Sequence, residues 1–145
     1  MLGSSYGGAT AILVAGEGPA AQALVTWSAP CQLTQLFGSM TKQPQRNRGR
    51  GLVGIGEEAG TSKFMADLSA YNVVEAAKKV GMVLVIHCKG DEVVPWIQAK
   101  IIYDNAIQPK RLQIFEGGDH QFLQPSIRRE ATELSLAWMN SHLGT

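Results

Sequence analysis

Residues 82–86 read Met-Val-Leu-Val-Ile, five apolar side chains in a row, and a strand of that composition points them onto both faces of its sheet. Both faces then need cover. A sheet buried on both sides is characteristically parallel and flanked by helices, so this pentapeptide narrows the chain to the α/β class. The rest of the pattern agrees. The Ala-rich stretch Tyr6–Ala15 reads as a helix ended by Gly16-Glu17-Gly18-Pro19, and Ala21–Trp27 reads as a short buried strand stopped by Ser28-Ala29-Pro30. Helices are expected near Lys63–Leu68, Val73–Lys79, Trp96–Ala106 and Ser126–His142, with a further strand at Arg111–Phe115. Helix and strand alternate, which predicts a mainly parallel sheet of three to four strands with right-handed crossovers.

Between Cys31 and about Ser62 the periodicity lapses. That stretch carries Lys42, Arg46, Arg48 and Arg50 and then the Gly-rich Gly49–Gly56, and a segment of this length inside a compact domain is expected to be a lid or cap. The expected organisation is therefore one domain over 1–145 with a cap-like insertion at about 31–62.

At 145 residues, with 45% hydrophobic and 17% charged residues and a formal net charge of +1, the chain suits a single globular domain. Such a balance exerts no general pull on nucleic acid or membrane. No apolar stretch reaches the ~18 residues of a membrane span, and no basic-then-apolar leader opens the sequence. The expected compartment is the cytoplasm, with no nucleic-acid or membrane partner. Cys31 and Cys88 lack the spacing of a cluster or a disulfide framework, so both are expected to be reduced and buried. Neither the cysteines nor His87, His120 and His142 have metal-ligand spacing on one element. No metal or cofactor is expected.

Three loops deliver three reactive groups. Gly3-Ser4-Ser5-Tyr6-Gly7 matches G-x-S-x-G at the start of a helix, Asp91 follows the apolar strand, and His120 follows the last strand. A serine hydroxyl becomes a nucleophile when a neutral imidazole accepts its proton, and a carboxylate orients that imidazole and stabilises its cation. Gly3 and Gly7 are expected to lack side chains because the nucleophile turn crowds the adjoining strand and helix. The helix end and the Tyr6 backbone N–H would face a developing oxyanion.

Taken together, Gly3–Gly7, Leu84–Pro95 and Phe115–Phe122 resemble the nucleophile elbow, acid loop and histidine loop of the α/β-hydrolase family. The resemblance covers most of the chain and is weakest over Cys31–Ser62. It implies Ser5 as nucleophile, His120 as general base and then general acid, and Asp91 as the carboxylate orienting it. It also implies cleavage of carboxylic esters through an acyl-enzyme, and so reduced a scaffold, with little wall for a long chain, is expected to favour short acyl groups; thioesters or amides would use the same residues. Members of that family have several strands before the nucleophile, ordered 1-2-4-3-5-6-7-8, whereas here only Met1-Leu2 precede the elbow. The expectation is a truncated, C-terminal-half fold whose second oxyanion donor, normally from the loop after the third strand, must come from elsewhere. The edge of the shortened sheet would be covered by a second copy, making a homodimer with Trp27 and the cap segment as contact candidates. The competing reading is a non-catalytic hydrolase remnant acting as a binding or assembly module.

Other residues compete for roles. Asp119 adjoins His120, but neighbours on a tight turn point apart, so Asp91 is the expected partner. His87 ends an apolar strand and is expected to be a hydrogen-bonded structural residue, with His142 solvated and Trp27, Trp96 and Trp138 in core or interface positions. Gly54-Ile55-Gly56-Glu57-Glu58-Ala59 fits a dinucleotide fingerprint formally, but it would set two carboxylates against a pyrophosphate. The Lys42–Arg50 cations lack the interleaved aromatics of an RNA site and read as a solvated segment.

Overall fold

The computed structural model describes residues 1–18, 23–41 and 58–143. The Lys42–Arg50 cations and the Gly54–Glu57 part of the dinucleotide-like motif lie outside the described residues. Two compact units emerge, Met1–Cys31 with Val73–Thr145, and Gln32–Asn72.

The first unit is built on a four-stranded, fully parallel sheet in sequential order, β1 (Leu2–Ser4), β2 (Leu24–Trp27), β3 (Val83–Cys88) and β4 (Lys110–Phe115). All six residues of β3 are buried, as the apolar run requires. Helix α1 (Tyr6–Glu17) packs on β1 and β2. In the second unit, two further helices are α2 (Leu33–Thr41) and α3 (Glu58–Ser69). Back in the first, α4 (Val73–Ala77) packs between α1 and α5 (Ile97–Asn105), which rests on β3 and β4. The contact of α1 with α4 is close: a Cβ on Gly16 would lie 2.9 Å from the Ala76 carbonyl oxygen.

Helix α6 (Pro125–His142) packs against β2 and β3. It helps enclose the core of Val25, Leu84, Ile86, Cys88, Phe115, Phe122, Ile127 and Ala131, against which Trp27, Leu134, Trp138 and Met139 pack. Alternate residues of β2 and β3 supply that core. Their neighbours Leu24, Val83, Val85 and His87 are equally buried, and strand alternation assigns them to the opposite face. In the second unit, Phe37 of α2 and Phe64 of α3 meet edge to face, with centroids 4.8 Å apart.

Several expectations shift. The strand ends move by one to three residues, β2 starting at Leu24 and β3 running on through His87 and Cys88. Helix α2 occupies part of the stretch read as lacking periodicity; Leu33, Leu36 and Phe37 have helical spacing, but the stripe is only two turns long and Gly38 interrupts it. β2 lies between β1 and β3, so the strand before Ser5 is the terminal one on that side of the sheet. Trp27 accordingly faces inward and donates its Nε1–H to Ser135 Oγ at 3.0 Å. His142 is half-buried, its ring 4.1 Å from that of Trp138.

Candidate active site

Ser5, Asp91 and His120 come together beyond the carboxyl ends of β1, β3 and β4. Ser5 follows β1 directly, and its N–H donates to Trp27 O at 2.8 Å, continuing the β1–β2 pairing into the turn. Its φ of 53° and ψ of −123° form a backbone conformation that non-glycine residues rarely adopt. This strain turns the side chain out of the strand while the Ser5 carbonyl accepts from the Gly8 and Ala9 N–H groups and opens α1. Tyr6 is the first residue of α1.

The glycine requirement differs from the motif. A Cβ on Gly3 would sit 2.2 Å from the Gly7 oxygen, and one on Gly8 would sit 2.7 Å from Ala29 Cβ, whereas one on Gly7 would meet nothing within 4 Å. The tight approach falls on Gly3 and Gly8. Gly7 contributes the carbonyl that excludes a side chain at residue 3, and the proximity of Ala29 was not readable from the pentapeptide.

His120 Nε2 lies 3.0 Å from Ser5 Oγ, and His120 Nδ1 lies 2.8 Å from Asp91 Oδ2. A carboxylate can only accept, so Nδ1 carries the hydrogen and Nε2 presents a lone pair to the serine hydroxyl. Asp91 is buried and its two oxygens are used separately. Oδ1 accepts the N–H groups of Val93 at 2.9 Å and Val94 at 2.8 Å. Oδ2 faces His120 and, at 3.2 Å, His87 Nε2. Burial alone would raise the Asp91 pKa, but the hydrogen bonds from His120, His87 and Val94 outweigh it and hold the carboxyl well below the usual carboxylate range.

Asp119, the rival acid, serves its own loop: its Oδ1 accepts from Gln121 N at 2.8 Å and from Leu123 N at 3.2 Å. Arg128 reaches back from α6 to the Phe122 and Gln121 carbonyls. Phe122 is buried, with ring centroids 4.8 Å from Trp27 and 6.5 Å from Phe115. The acid and histidine loops are joined where Lys89 N donates to Phe115 O at 2.8 Å. There a Cβ on Gly90 would fall 2.3 Å from the Gly118 oxygen, and Gly118 has a φ of +84°.

Of the remaining sequence candidates, His87 is fully buried and directs Nε2–H to Val94 O at 2.9 Å. It therefore touches the acid of the site as well as the fold, which its place at the end of an apolar strand did not reveal. Cys31 and Cys88 are free and buried, and burial pushes both thiols up to about 11. Among the described residues no group of His, Cys, Asp and Glu has the arrangement of a metal site, and no helix is long and apolar enough to cross a membrane.

The sequence matches the prolyl oligopeptidase family over residues 1–145. No protein of curated function matches it. Among solved structures, the fold is similar to the esterase domain of a Rhodothermus marinus protein, at 24% identity and a TM-score of 0.70, over 99% of this chain and 60% of that one. It is also similar to a puromycin-hydrolyzing peptidase of Mycobacterium tuberculosis (22% identity, TM-score 0.69, 99% of this chain and 22% of that one). A monoacylglycerol lipase of Paleococcus ferrophilus aligns at 16% identity with a TM-score of 0.66, over 97% and 67% of the two chains. The chain thus spans about 60% of the length of the esterase domain, and the strand order, the elbow and the family match agree that it belongs to the prolyl oligopeptidase family, within the α/β-hydrolase fold.

Proposed function

We propose that this chain is a serine hydrolase that cleaves carboxylic esters, chiefly of short acyl chains, through an acyl-enzyme on Ser5. The observation that carries this reading is the continuous hydrogen-bonded series from Ser5 Oγ through both nitrogens of His120 to Asp91 Oδ2, at 3.0 and 2.8 Å.

In the first step Ser5 Oγ adds to the ester carbonyl carbon as its proton passes to His120 Nε2. Asp91 stabilises the imidazolium. The oxyanion faces the start of α1, where the Tyr6 N–H is the assigned donor and the helix end is positive. Collapse expels the alkoxide, which takes the proton from His120, and leaves Ser5 acylated. Water then repeats the sequence, giving its proton to His120, forming the acid and returning Ser5.

The test is hydrolysis of p-nitrophenyl acetate, butyrate and decanoate beside Ser5→Ala and His120→Ala variants, with fluorophosphonate labelling of Ser5 as a second readout. The expected result is turnover highest with the shorter esters, rising with pH as the imidazole loses its proton and unaffected by chelators. A folded protein with no turnover and no labelling would overturn the reading in favour of a binding or assembly module. The family description favours one second reading, a peptidase, in which the leaving group is an amine. Aminoacyl p-nitroanilides decide it, because a peptidase cleaves them with a kcat/KM at least matching that for the esters.

A homodimer belongs to the same proposal. β1 is the terminal strand of the sheet and Leu2 is 53% exposed, so this edge replaces Trp27 as the contact candidate. Light scattering with size exclusion reads the mass directly, and a monomer at micromolar concentration with undiminished activity would reject it.

A further inference from the structure

His87 is a buried titratable group that the proposed chemistry leaves unused. Its ring is fully buried at the end of β3. The Val94 carbonyl, 2.9 Å from Nε2, can only accept, so Nε2 carries the hydrogen. The same nitrogen is 3.2 Å from Asp91 Oδ2, the oxygen that receives His120 Nδ1–H at 2.8 Å. Val94 closes the ring of contacts, since its own N–H donates to Asp91 Oδ1 at 2.8 Å. On the far side of the imidazole, Nδ1 meets no hydrogen-bond partner among the described residues. A second ring proton there would be a buried orphan donor, which is costly, so the contacts favour the Nε2–H form.

We propose that His87 is a positioning residue for the acid: it fixes the carboxylate through Val94 and shares Oδ2 with His120, and so limits how strongly Asp91 draws the proton onto His120. This rests on the reading of Ser5, His120 and Asp91 as a proton-transfer unit. A carboxylate oxygen that accepts two N–H groups offers less negative charge to each than one that accepts a single N–H. With the His87 donor removed, Oδ2 binds the His120 imidazolium more tightly, and His120 holds its proton to higher pH.

The other charges nearby are already engaged. Asp119 binds the N–H groups of its own loop, and Cys88 beside His87 is a thiol that burial keeps protonated. Lys89 pairs with Glu116 between the two loops. At the helices on the side assigned to His87, Glu75 pairs with Lys78 and Lys100 with Asp104, all on exposed side chains.

The test is an NMR titration of histidine-¹⁵N-labelled protein, which reads the His120 midpoint whether or not an ester is turned over. Failure of the hydrolase reading and failure of this inference are therefore separable. His87→Phe keeps the ring shape and removes the donor; His87→Gln keeps a donor close to the Nε2 position. The expected result is a His120 midpoint raised by about half a pH unit in His87→Phe and close to the unsubstituted value in His87→Gln, with the acid limb of kcat/KM moving in parallel. A purely structural His87 would lower the melting temperature in His87→Phe and leave the His120 midpoint in place, which overturns the inference. Should His87→Phe fail to fold, the unsubstituted protein still decides. Its His87 ring is expected in the Nε2–H form, with an N–H resonance that shifts at the His120 midpoint, and an Nδ1–H form or an unmoved resonance would reject the proposal.

Discussion

Replacing Asp91 by asparagine tests the site most severely, because the carboxylate is surrounded only by donors. Oδ1 accepts two backbone N–H groups and Oδ2 faces the N–H groups of His120 and His87. An amide has one acceptor and one donor end, so one of these pairs must face an NH₂. Turned toward the histidines, the NH₂ forces His120 to accept at Nδ1, which moves the ring hydrogen to Nε2 and leaves no base for Ser5. Turned toward the loop, it sets the amide against the N–H groups of Val93 and Val94. The first arrangement predicts a loss in kcat of up to ~10⁴, as expected when the catalytic imidazole is held in the wrong tautomer.

The second arrangement leaves about two buried donors, the Val93 and Val94 N–H groups, unsatisfied. At roughly 1–3 kcal/mol each, a loss near 3 kcal/mol is expected, or a melting temperature lower by about 10 °C for a chain of this size. The pH dependence has a definite sign. Asp91 has a folded pKa below its unfolded value, so its contribution is present above the ordinary carboxylate pKa of about 3.9 and is lost as pH falls toward the folded value. The melting temperature of the unsubstituted protein should drop below about pH 4, and that of Asp91→Asn should drop less. Steady-state ester kinetics and calorimetry across pH measure both effects. Near-normal kcat in Asp91→Asn, with a severe loss in Asp119→Asn, would refute the assignment of the acid.

Other perturbations follow from the same geometry. Ser5→Gly relieves the positive φ and should be inactive but more stable than Ser5→Ala by about 1 kcal/mol; equal melting temperatures would argue against strain at the elbow. Phe122→Ala should cost about 3–5 kcal/mol and also reduce turnover, because Phe122 anchors the loop that carries His120, while Phe122→Leu should recover part of both. Among the described residues, Thr26 Oγ1 is buried without a partner, so Thr26→Val should leave the melting temperature unchanged or raise it by a few degrees; a fall of that size would show that the hydroxyl is satisfied in solution. Cys31 and Cys88, with thiols pushed up to about 11, should resist iodoacetamide at pH 8 until the protein is denatured, and mass spectrometry of the folded protein would show any exception.

Much of this was legible in the chain because local patterns and distant positions agreed. An all-apolar strand leaves few options for its sheet, and β3 is buried along its whole length. The separation of Ser5, Asp91 and His120 onto three post-strand loops also survives as geometry, since each loop begins where an apolar run must stop. What could not be read depends on residues far apart in sequence. Gly7 fits the motif but has open space, and Gly8 is crowded by Ala29 from another strand end. His87 looked like a strand residue because nothing in its neighbours says that Asp91, one helical turn's spacing away, folds back onto its Nε2. The α2 helix was hidden by its shortness and by Gly38, since two turns of apolar spacing are weak against loop-like flanks.

The sheet also explains why an aromatic residue two positions beyond His120 matters to the site. Adjacent strands are about 4.8 Å apart, so β1 and β4, at opposite ends of a four-strand sheet, are separated by roughly 14 Å. Ser5 follows the first and His120 the last, and the histidine loop must run back across β3 and β2 to deliver its ring. Phe122 sets that path by lying between Phe115 of β4 and Trp27 of β2, and Trp27 is the residue whose carbonyl holds the Ser5 N–H. The Phe122 φ of 54° is as unusual for a bulky side chain as the 53° of Ser5. Two residues of positive φ thus stand at the turn that carries Ser5 and on the loop that carries His120. Each is held by contacts too numerous for the strain to relax: backbone bonds on both sides of Ser5, and a buried ring with an arginine on its carbonyl at Phe122. Ser5 and His120 are thus tied to one another through the core of the sheet.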